Sequence, residues 1–340
     1  MTERKRINIA LQGGGAHGAF TWGVLDRILE TEEIEIAAIS GTSAGALNGA
    51  ALKSGLACGG PAAARETLAW LWSRILGIRD LKIATWLSPL APATSAISSA
   101  IEASTLYRVG DFVSQATSPY SLGPFYRNPL EPIVSDMRFK DICSDAGPAF
   151  HICATNVRNG KVRVFSGNEL SPDALLASAC LPALFKAVEI DGEAYWDGGY
   201  TGNPALFPFY EPSLPNDVVI VNINPFYRDD LPYTAHEIHN RINEISFNSS
   251  LLRDLRAIRF VQRLIEDGKV PEGTMKYVLV HMIADDALMS DLSVATKIIP
   301  SAILVERLFR AGRAAADTFI ERHLGDLGKR STVDLTEMYD

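Results

Sequence analysis

The N-terminal part of the chain alternates between apolar and polar blocks in a way that predicts two strand–turn–helix units. The apolar run at residues 7–11 ends in consecutive glycines, and the apolar residues of 19–30 then fall on one helical face. A second apolar run at 36–39 ends at the turn 41–45 and leads into another helix from Ala46. Two such units in succession predict an α/β fold with a mainly parallel sheet that is covered by helices on both faces.

The same patterns predict further elements downstream. Two hairpins are predicted where strand-like runs flank a tight-turn dipeptide, at 150–156 with 161–165 and at 188–190 with 193–196. Single strands are predicted at 218–222 and 275–284, and helices at 238–265 and from about 300 to 325. Residues 75–132 carry prolines, serines and scattered aromatics without a clean period, so we interpret them as an insertion or cap.

Composition narrows the class of protein. With 340 residues, 47% of them hydrophobic, the chain can bury a substantial core. The 32 basic and 40 acidic residues give a net charge of −8, which disfavours nucleic acid as a partner. The four cysteines form no C-x-x-C pair, so we expect buried free thiols in a reducing compartment. We recognise no signal-peptide core, and prolines interrupt the uncharged stretch 83–101, which makes a membrane-spanning helix improbable there.

The turn at residues 41–45, Gly-Thr-Ser-Ala-Gly, carries the first candidate chemistry. It is a G-x-S-x-G pattern between a buried strand and a helix, where Gly41 and Gly45 permit a sharp turn that exposes the hydroxyl of Ser43. The N–H of Ala44, at the helix N-terminus, can donate to the oxyanion that forms when a serine attacks a carbonyl. The alternative is a tight turn that holds an ordinary serine.

Residues 13–18, Gly-Gly-Gly-Ala-His-Gly, form a second glycine-rich turn after the first strand. The backbone N–H groups of Gly13, Gly14 and Gly15 suit an oxyanion hole. Gly13, Gly15 and Gly18 also match the G-x-G-x-x-G pattern of dinucleotide-binding proteins. That pattern requires an acidic residue at the end of the second strand, where this chain has Ser-Gly-Thr-Ser, so nucleotide binding is disfavoured.

The base that would activate the serine is less evident. A hydrolase triad would place a histidine downstream of the serine, and His236 and His281 stay as candidates although neither has a distinguishing context. Asp197 follows an apolar strand and opens into Gly198 and Gly199. A carboxylate in a partly desolvated pocket gains proton affinity and can serve as a base without histidine. A turn aspartate that bonds its own backbone is the open alternative.

In this order, the three elements resemble the motifs of the patatin-like phospholipase family: G-G-G-x-[K/R]-G, G-x-S-x-G and D-G-[G/A]. The resemblance extends over roughly residues 7–222 and includes the segment 177–182, Ala-Ser-Ala-Cys-Leu-Pro. It implies a three-layer α/β/α fold with a mainly parallel sheet. We therefore expect one hydrolase domain over residues 1–340, with a core at about 6–225, a helical cap at 75–132 and a helical extension at 230–340.

The resemblance also implies a serine esterase or lipid acyl hydrolase in which Ser43 is the nucleophile, Asp197 is the base and the loop glycines are oxyanion donors, with no metal or cofactor. We expect a lipid or small-ester substrate and a cytoplasmic protein that contacts a membrane surface. The alternative on the same fold is a lipid-binding or regulatory module with little catalysis. His17 departs from the pattern, since the family has lysine or arginine there, and it removes a permanent positive charge from the loop.

Overall fold

The structure is a computed structural model that describes residues 4–77, 94–104, 118–182, 184–271 and 273–339. Within these residues, eight strands form one sheet: β1 Lys5–Leu11, β2 Ile34–Thr42, β3 Ala149–Asn156, β4 Val162–Ser166, β5 Val188–Ile190, β6 Glu193–Asp197, β7 Asp217–Val221 and β8 Leu279–Ile283. The helices are α1 Gly18–Ile28, α2 Ala44–Leu76, α3 Thr94–Ala103, α4 Glu131–Ser135, α5 Phe139–Ile142, α6 Pro172–Ser178, α7 Ala235–Glu266, α8 Asp286–Ser290, α9 Val294–Ile298, α10 Ala302–His323 and α11 Leu335–Tyr339. Short 3₁₀ turns lie at Gly15–His17, Pro119–Phe125, Gly167–Glu169, Gly198–Tyr200 and Phe207–Tyr210.

The sheet is mainly parallel, as the sequence predicts. Its strand order is β5–β6–β3–β2–β1–β7–β8, and β4 pairs with β3 as well. Five neighbouring strands, β3, β2, β1, β7 and β8, pair in parallel. Strands β4, β5 and β6 add antiparallel pairs at one side of the sheet. Both predicted hairpins are present, as β3–β4 and β5–β6.

Helices cover both faces of this sheet, which confirms the three-layer architecture. Because side chains alternate along a strand, β1 directs Ile7, Ile9 and Leu11 into a core shared with α1, α2 and α10, and Ala10 into a second core on the opposite face. The second core contains Leu251 and other apolar residues of α7. The C-terminal elements therefore complete the layers around the first two strands.

Two features differ from the sequence-based expectations. The strand predicted at 275–284 begins only at Leu279, because its partner β7 begins at Asp217, which pairs with Leu279 and leaves the preceding residues without a neighbouring strand. Cys58 and Cys143 are exposed rather than buried: Cys58 lies just before the kink at Gly60 in the middle of α2, and Cys143 directly follows α5. Of the expected cap, residues 78–93 and 105–117 lie outside the described residues.

None of the helices in the described ranges combines the length and the apolar character that crossing a bilayer requires.

Candidate active site

Ser43 is the single residue between the end of β2 and the start of α2, and its backbone conformation is one that L-residues rarely adopt. Its φ of 55° and ψ of −122° cost about 1–3 kcal/mol, which the surrounding fold must offset. The Ser43 N–H donates to Oγ of Ser178 at 2.9 Å, and that hydroxyl donates to the carbonyl of Cys153 at 2.6 Å. This strained strand-to-helix turn is the geometry by which hydrolases expose a serine nucleophile.

The glycines of this turn are required by close packing. A Cβ at Gly45 would lie 2.1 Å from the carbonyl oxygen of Leu11, and one at Gly41 would lie 2.7 Å from the carbonyl oxygen of Gly45. At Gly18, a Cβ would lie 2.8 Å from the Cβ of Ala44. The turn after β2 is thus pressed against the turn after β1, and any side chain at these positions would separate the two.

Strand β3 brings Asp197 to Ser43 across 154 residues of sequence. The end of β2 pairs in parallel with β3 up to Thr42 opposite Cys153, and the end of β6 pairs antiparallel with β3 from Asp197 opposite Ala154. Since Cys153 and Ala154 are consecutive, the last residues of β2 and β6 meet end to end. The nucleophile candidate and the carboxylate candidate therefore lie side by side.

The carboxyl group of Asp197 is fully buried and only partly satisfied. Its Oδ1 accepts a hydrogen bond from the N–H of Gly199 at 2.7 Å, whereas its Oδ2 is buried and has no hydrogen-bond partner among the described residues. A Cβ at Gly198 would lie 2.3 Å from the carbonyl oxygen of Cys153. Position 198 therefore has to be glycine for the turn after Asp197 to lie this close to β3.

Burial raises the pKa of Asp197 from 3.8 to about 7, against the smaller lowering effects of the Gly199 N–H and the Ser43 hydroxyl. A carboxylate with this pKa is ionised in much of the population at neutral pH and binds a proton far more readily than an exposed aspartate. Such a group has the proton affinity that general-base chemistry requires at physiological pH.

The loop of Gly13, Gly14 and Gly15 lies directly against Ser43. A Cβ at Gly13 would lie 2.8 Å from the Cβ of Ser43. The N–H of Gly13, an expected oxyanion donor, is occupied, because it donates to Oδ1 of Asn203 at 2.7 Å. The N–H groups of Gly14, Gly15 and Ala44 donate to no acceptor within the part of the chain that the structure describes. These three N–H groups therefore have no protein acceptor among the described residues.

His17 holds this loop in place as a neutral residue. Its Nε2 lies 2.8 Å from Oγ1 of Thr296, whose own hydroxyl donates to the carbonyl of Ser293 at 2.6 Å, so Nε2 carries the hydrogen and donates. Burial, followed by the charges of Lys297 and Arg228, holds the pKa of His17 well below its usual range. His17 therefore ties the glycine loop to α9 and supplies no positive charge.

An apolar cavity of about 280 Å³ opens on Ser43. Its wall includes Leu71, Trp72, Leu130, Ile133, Leu184 and Phe185. Leu130 belongs to the expected cap, so a described part of that segment contributes to the wall. A cavity of this character beside a serine hydroxyl suits an acyl chain.

Of the two histidine candidates for a base, His281 is remote from Ser43. His281 is buried in β8, which β1 and β7 separate from β2, and its ring nitrogens lie 2.9 Å from Oδ1 of Asp217 and 3.2 Å from Oγ1 of Thr332. The side chain of His236 lies outside the described residues. No group of three or more metal-ligating side chains is present within the described ranges.

Comparison with known proteins places this geometry in a family. A sequence profile of the patatin-like phospholipase family matches residues 9–210, which include Ser43, Asp197 and the glycine loop. The chain belongs to the patatin-like phospholipase family. Family membership implies lipid acyl hydrolase activity, and the α/β sheet with its helical layers is the patatin-like fold.

Two solved structures are similar over nearly the whole chain, at low sequence identity. VipD from Legionella pneumophila is 13% identical, with 94% of this chain and 67% of that chain covered and a TM-score of 0.44. The second match is the heterodimeric ExoU–SpcU complex from the type III secretion system of Pseudomonas aeruginosa. It is 15% identical, with 95% of this chain and 52% of that chain covered and a TM-score of 0.36. This chain thus spans about half the length of the second match. No curated protein sequence matches it.

Several residues that support the patatin-like site were not found from sequence. Ser178 lies within the segment 177–182 that the family resemblance includes, but its contact with the Ser43 backbone has no signature of its own. Asn203, Asn224 and Lys297 lie outside the motifs. A weak signal existed for Asn224, because it follows the buried strand β7 at the carboxyl edge of the sheet, where ligand-binding residues of α/β folds collect.

Proposed function

We propose that this chain is a serine esterase or phospholipase A-like acyl hydrolase that uses a Ser43–Asp197 dyad. The observation that carries the proposal is the strained Ser43 next to a fully buried carboxyl group whose pKa is about 7. The strain presents the hydroxyl, and the burial gives the carboxylate the affinity to take its proton. An apolar cavity at the same serine supplies a place for the acyl chain.

In the first half of the reaction, the Asp197 carboxylate accepts the hydroxyl proton while Oγ of Ser43 attacks the ester carbonyl carbon. The carbonyl π electrons move to the oxygen, and this oxyanion receives hydrogen bonds from the free N–H groups of Gly14, Gly15 and Ala44. When the intermediate collapses, the bond to the leaving alcohol breaks and Asp197 returns the proton to that alcohol. The acyl group is then esterified to Ser43.

In the second half, water attacks the acyl carbon and gives a proton to Asp197, and the same N–H groups stabilise the second oxyanion. Collapse breaks the bond to Oγ, Asp197 returns its proton to Ser43, and the carboxylic acid leaves. The buried Oδ2 without a partner is the oxygen best placed to carry the proton, since Oδ1 already accepts from Gly199.

The nucleophile is tested with a fluorophosphonate probe, which reacts with activated serines. We expect one adduct on Ser43 in folded protein, located by peptide mass spectrometry, and none in Ser43→Ala. Turnover of phospholipids, lysophospholipids, monoacylglycerols and short aryl esters then assigns the substrate class. A folded wild-type protein that shows neither an adduct nor turnover would refute the enzyme and favour the lipid-binding alternative.

The base is tested by substitution at Asp197 and at the histidines. We expect Asp197→Asn to abolish turnover, and His281→Ala and His236→Ala to retain it. His281→Ala also serves as a control for a buried polar substitution, because its partners Asp217 and Thr332 are remote from the proposed dyad. Loss of turnover in a folded histidine variant, with activity kept in Asp197→Asn, would point to an ordinary triad.

A further inference from the structure

Among the described residues that line the cavity at Ser43, Lys297 is the one that carries a charge. It belongs to α9, beyond residues 9–210 that match the family. Its backbone touches the glycine loop, because a Cβ at Gly15 would lie 2.3 Å from the Lys297 carbonyl oxygen. Lys297 is partly buried and contacts the proposed oxyanion loop, and the mechanism above does not use it.

Two hydrogen bonds connect the ammonium group of Lys297 to the loop. Its Nζ donates to Oδ1 of Asn224 at 2.7 Å, and Nδ2 of Asn224 donates to the carbonyl oxygen of Gly13 at 2.9 Å. The Gly13 carbonyl and the Gly14 N–H belong to one trans peptide group, so they point in opposite directions. Asn224 therefore holds one end of a peptide whose other end is a free N–H.

The charges around Lys297 leave its positive charge partly uncompensated. The carboxylate that raises the pKa of Lys297 is Glu244 of α7, which is already paired with Arg228 and, at 3.2 Å, with Arg241. Arg228 also repels Lys297, and His17 on the loop is neutral. The charge is thus directed toward Asn224, a neutral amide that passes polarisation on to the loop.

We propose that Lys297 is a positioning residue of the oxyanion hole, which orients and polarises the Gly14 N–H through Asn224 and the Gly13 carbonyl. An ammonium on Oδ1 makes the Asn224 amide a stronger donor, and that donor in turn polarises the Gly13–Gly14 peptide. The Gly14 N–H then stabilises a full negative charge more than it stabilises a neutral carbonyl. Lys297 therefore acts on the transition state, and this inference rests on the proposed function.

Burial lowers the pKa of Lys297 to about 8, with Arg228 contributing in the same direction and Glu244 opposing it. Above this pH the neutral amine keeps its contact with Asn224 but loses the charge. Wild-type kcat/KM should therefore rise as Asp197 loses its proton near pH 7 and fall again as Lys297 loses its proton near pH 8. Lys297 is not among the groups that shift the pKa of Asp197, so the two limbs are separable.

The test compares Lys297→Met and Lys297→Arg with wild type on a neutral short-chain aryl ester, which has no anionic head group to bind the lysine. For Lys297→Met we expect kcat to fall about tenfold at pH 7 with KM little changed, a fraction of the loss caused by removing a direct oxyanion donor. The alkaline limb should disappear. Lys297→Arg should restore most of kcat and carry activity well above pH 8, because guanidinium stays charged.

Lys276→Met is the matched control. Burial also lowers the pKa of Lys276 to about 8, and its Nζ donates to the carbonyls of Phe209, Glu211 and Leu214, which lie outside the proposed site. We expect this variant to keep the wild-type pH profile. An alkaline limb that vanishes in Lys276→Met and persists in Lys297→Met would overturn the inference.

Two further results separate the inference from the proposed function. If wild-type protein forms no fluorophosphonate adduct and turns over no ester, both fail together. If wild type is active and folded Lys297→Met has the same kcat and alkaline limb, only the role of Lys297 fails. If Lys297→Met does not fold, Lys297→Arg tests the role of Lys297. An alkaline limb that stays near pH 8 in Lys297→Arg would show that another group causes this limb.

Discussion

Replacing Asp197 by Asn should make the protein more stable at alkaline pH while it abolishes turnover. The pKa of this carboxyl is about 7 in the folded protein against an ordinary 3.8, so the folded state binds the proton more tightly than the unfolded chain does. The stabilisation from protonation is present at low pH and is lost as pH rises through the folded-state pKa. An asparagine has no charge to desolvate and keeps an oxygen for the Gly199 N–H.

The magnitude follows from the interval between the two pKa values. Each pH unit between them changes the free energy of unfolding by about 1.4 kcal/mol, so the full interval corresponds to about 4 kcal/mol. The new amide N–H₂ sits where Oδ2 has no partner, which offsets about 1–3 kcal/mol of this gain. We therefore expect Asp197→Asn to be about 2 kcal/mol more stable than wild type at about pH 8.

The assay is reversible urea unfolding of both proteins, followed by tryptophan fluorescence at several pH values. The difference in unfolding free energy should grow by about 3 kcal/mol from about pH 5 to about pH 8, and this slope does not depend on the cost of the amide. Ser43→Ala is the control, since it is expected to be equally inactive but keeps Asp197. Its unfolding free energy should depend on pH at least as steeply as that of wild type, because the Ser43 hydroxyl lowers the pKa of Asp197. Parallel pH profiles for wild type and Asp197→Asn would refute the raised pKa and with it the proposed base.

Three further predictions concern the walls of the site. Gly13→Ala should reduce kcat/KM at least about 100-fold, because its Cβ would lie 2.8 Å from the Cβ of Ser43, whereas Gly325→Ala, with open space at its Cβ, should be neutral. Ser178→Ala should lower the free energy of unfolding by about 1–3 kcal/mol in urea titrations, because it removes the acceptor of a buried backbone N–H; an unchanged value would contradict this. Leu130→Trp should reduce kcat/KM for long-chain relative to acetyl aryl esters by about tenfold, and an unchanged chain-length profile would remove Leu130 from the acyl site.

The parts of the fold and site that sequence predicted are those determined by local contacts. The turn at Ser43 can be recognised because a Cβ at Gly41 or Gly45 would lie less than 3 Å from backbone atoms, so only glycine fits. The strands β1, β2 and β7 can be recognised because burial on both faces makes them continuous apolar runs. The start of β8 was not predictable in this way, since it depends on where its partner strand begins.

The residues that sequence did not predict act through distant partners. Ser178 meets the Ser43 backbone across 135 positions, Asn203 meets Gly13 across 190, and Asn224 meets Gly13 across 211. Each is a common polar residue, and nothing in its local pattern identifies the backbone group that it contacts. Their role follows only from the sheet register, which brings the carboxyl ends of β1, β2 and β7 to one edge.

The contacts around the glycine loop indicate that residues beyond the family match belong to the proposed active site. Gln12, which leads into the loop, accepts hydrogen bonds at Oε1 from the N–H groups of Ile223 and Asn224, at 2.8 and 3.1 Å. Asn248 of α7 donates to the carbonyl of Asn224 at 3.3 Å, and Lys297 of α9 completes the cluster. Residues 9–210 contain the nucleophile, the proposed base and Asn203, which accepts from the Gly13 N–H. The other supporting side chains, Asn224, Asn248 and Lys297, lie beyond the family match. Because an oxyanion hole works only when its donors are fixed before charge develops, the C-terminal part of this chain has to be folded for the proposed dyad to turn over an ester.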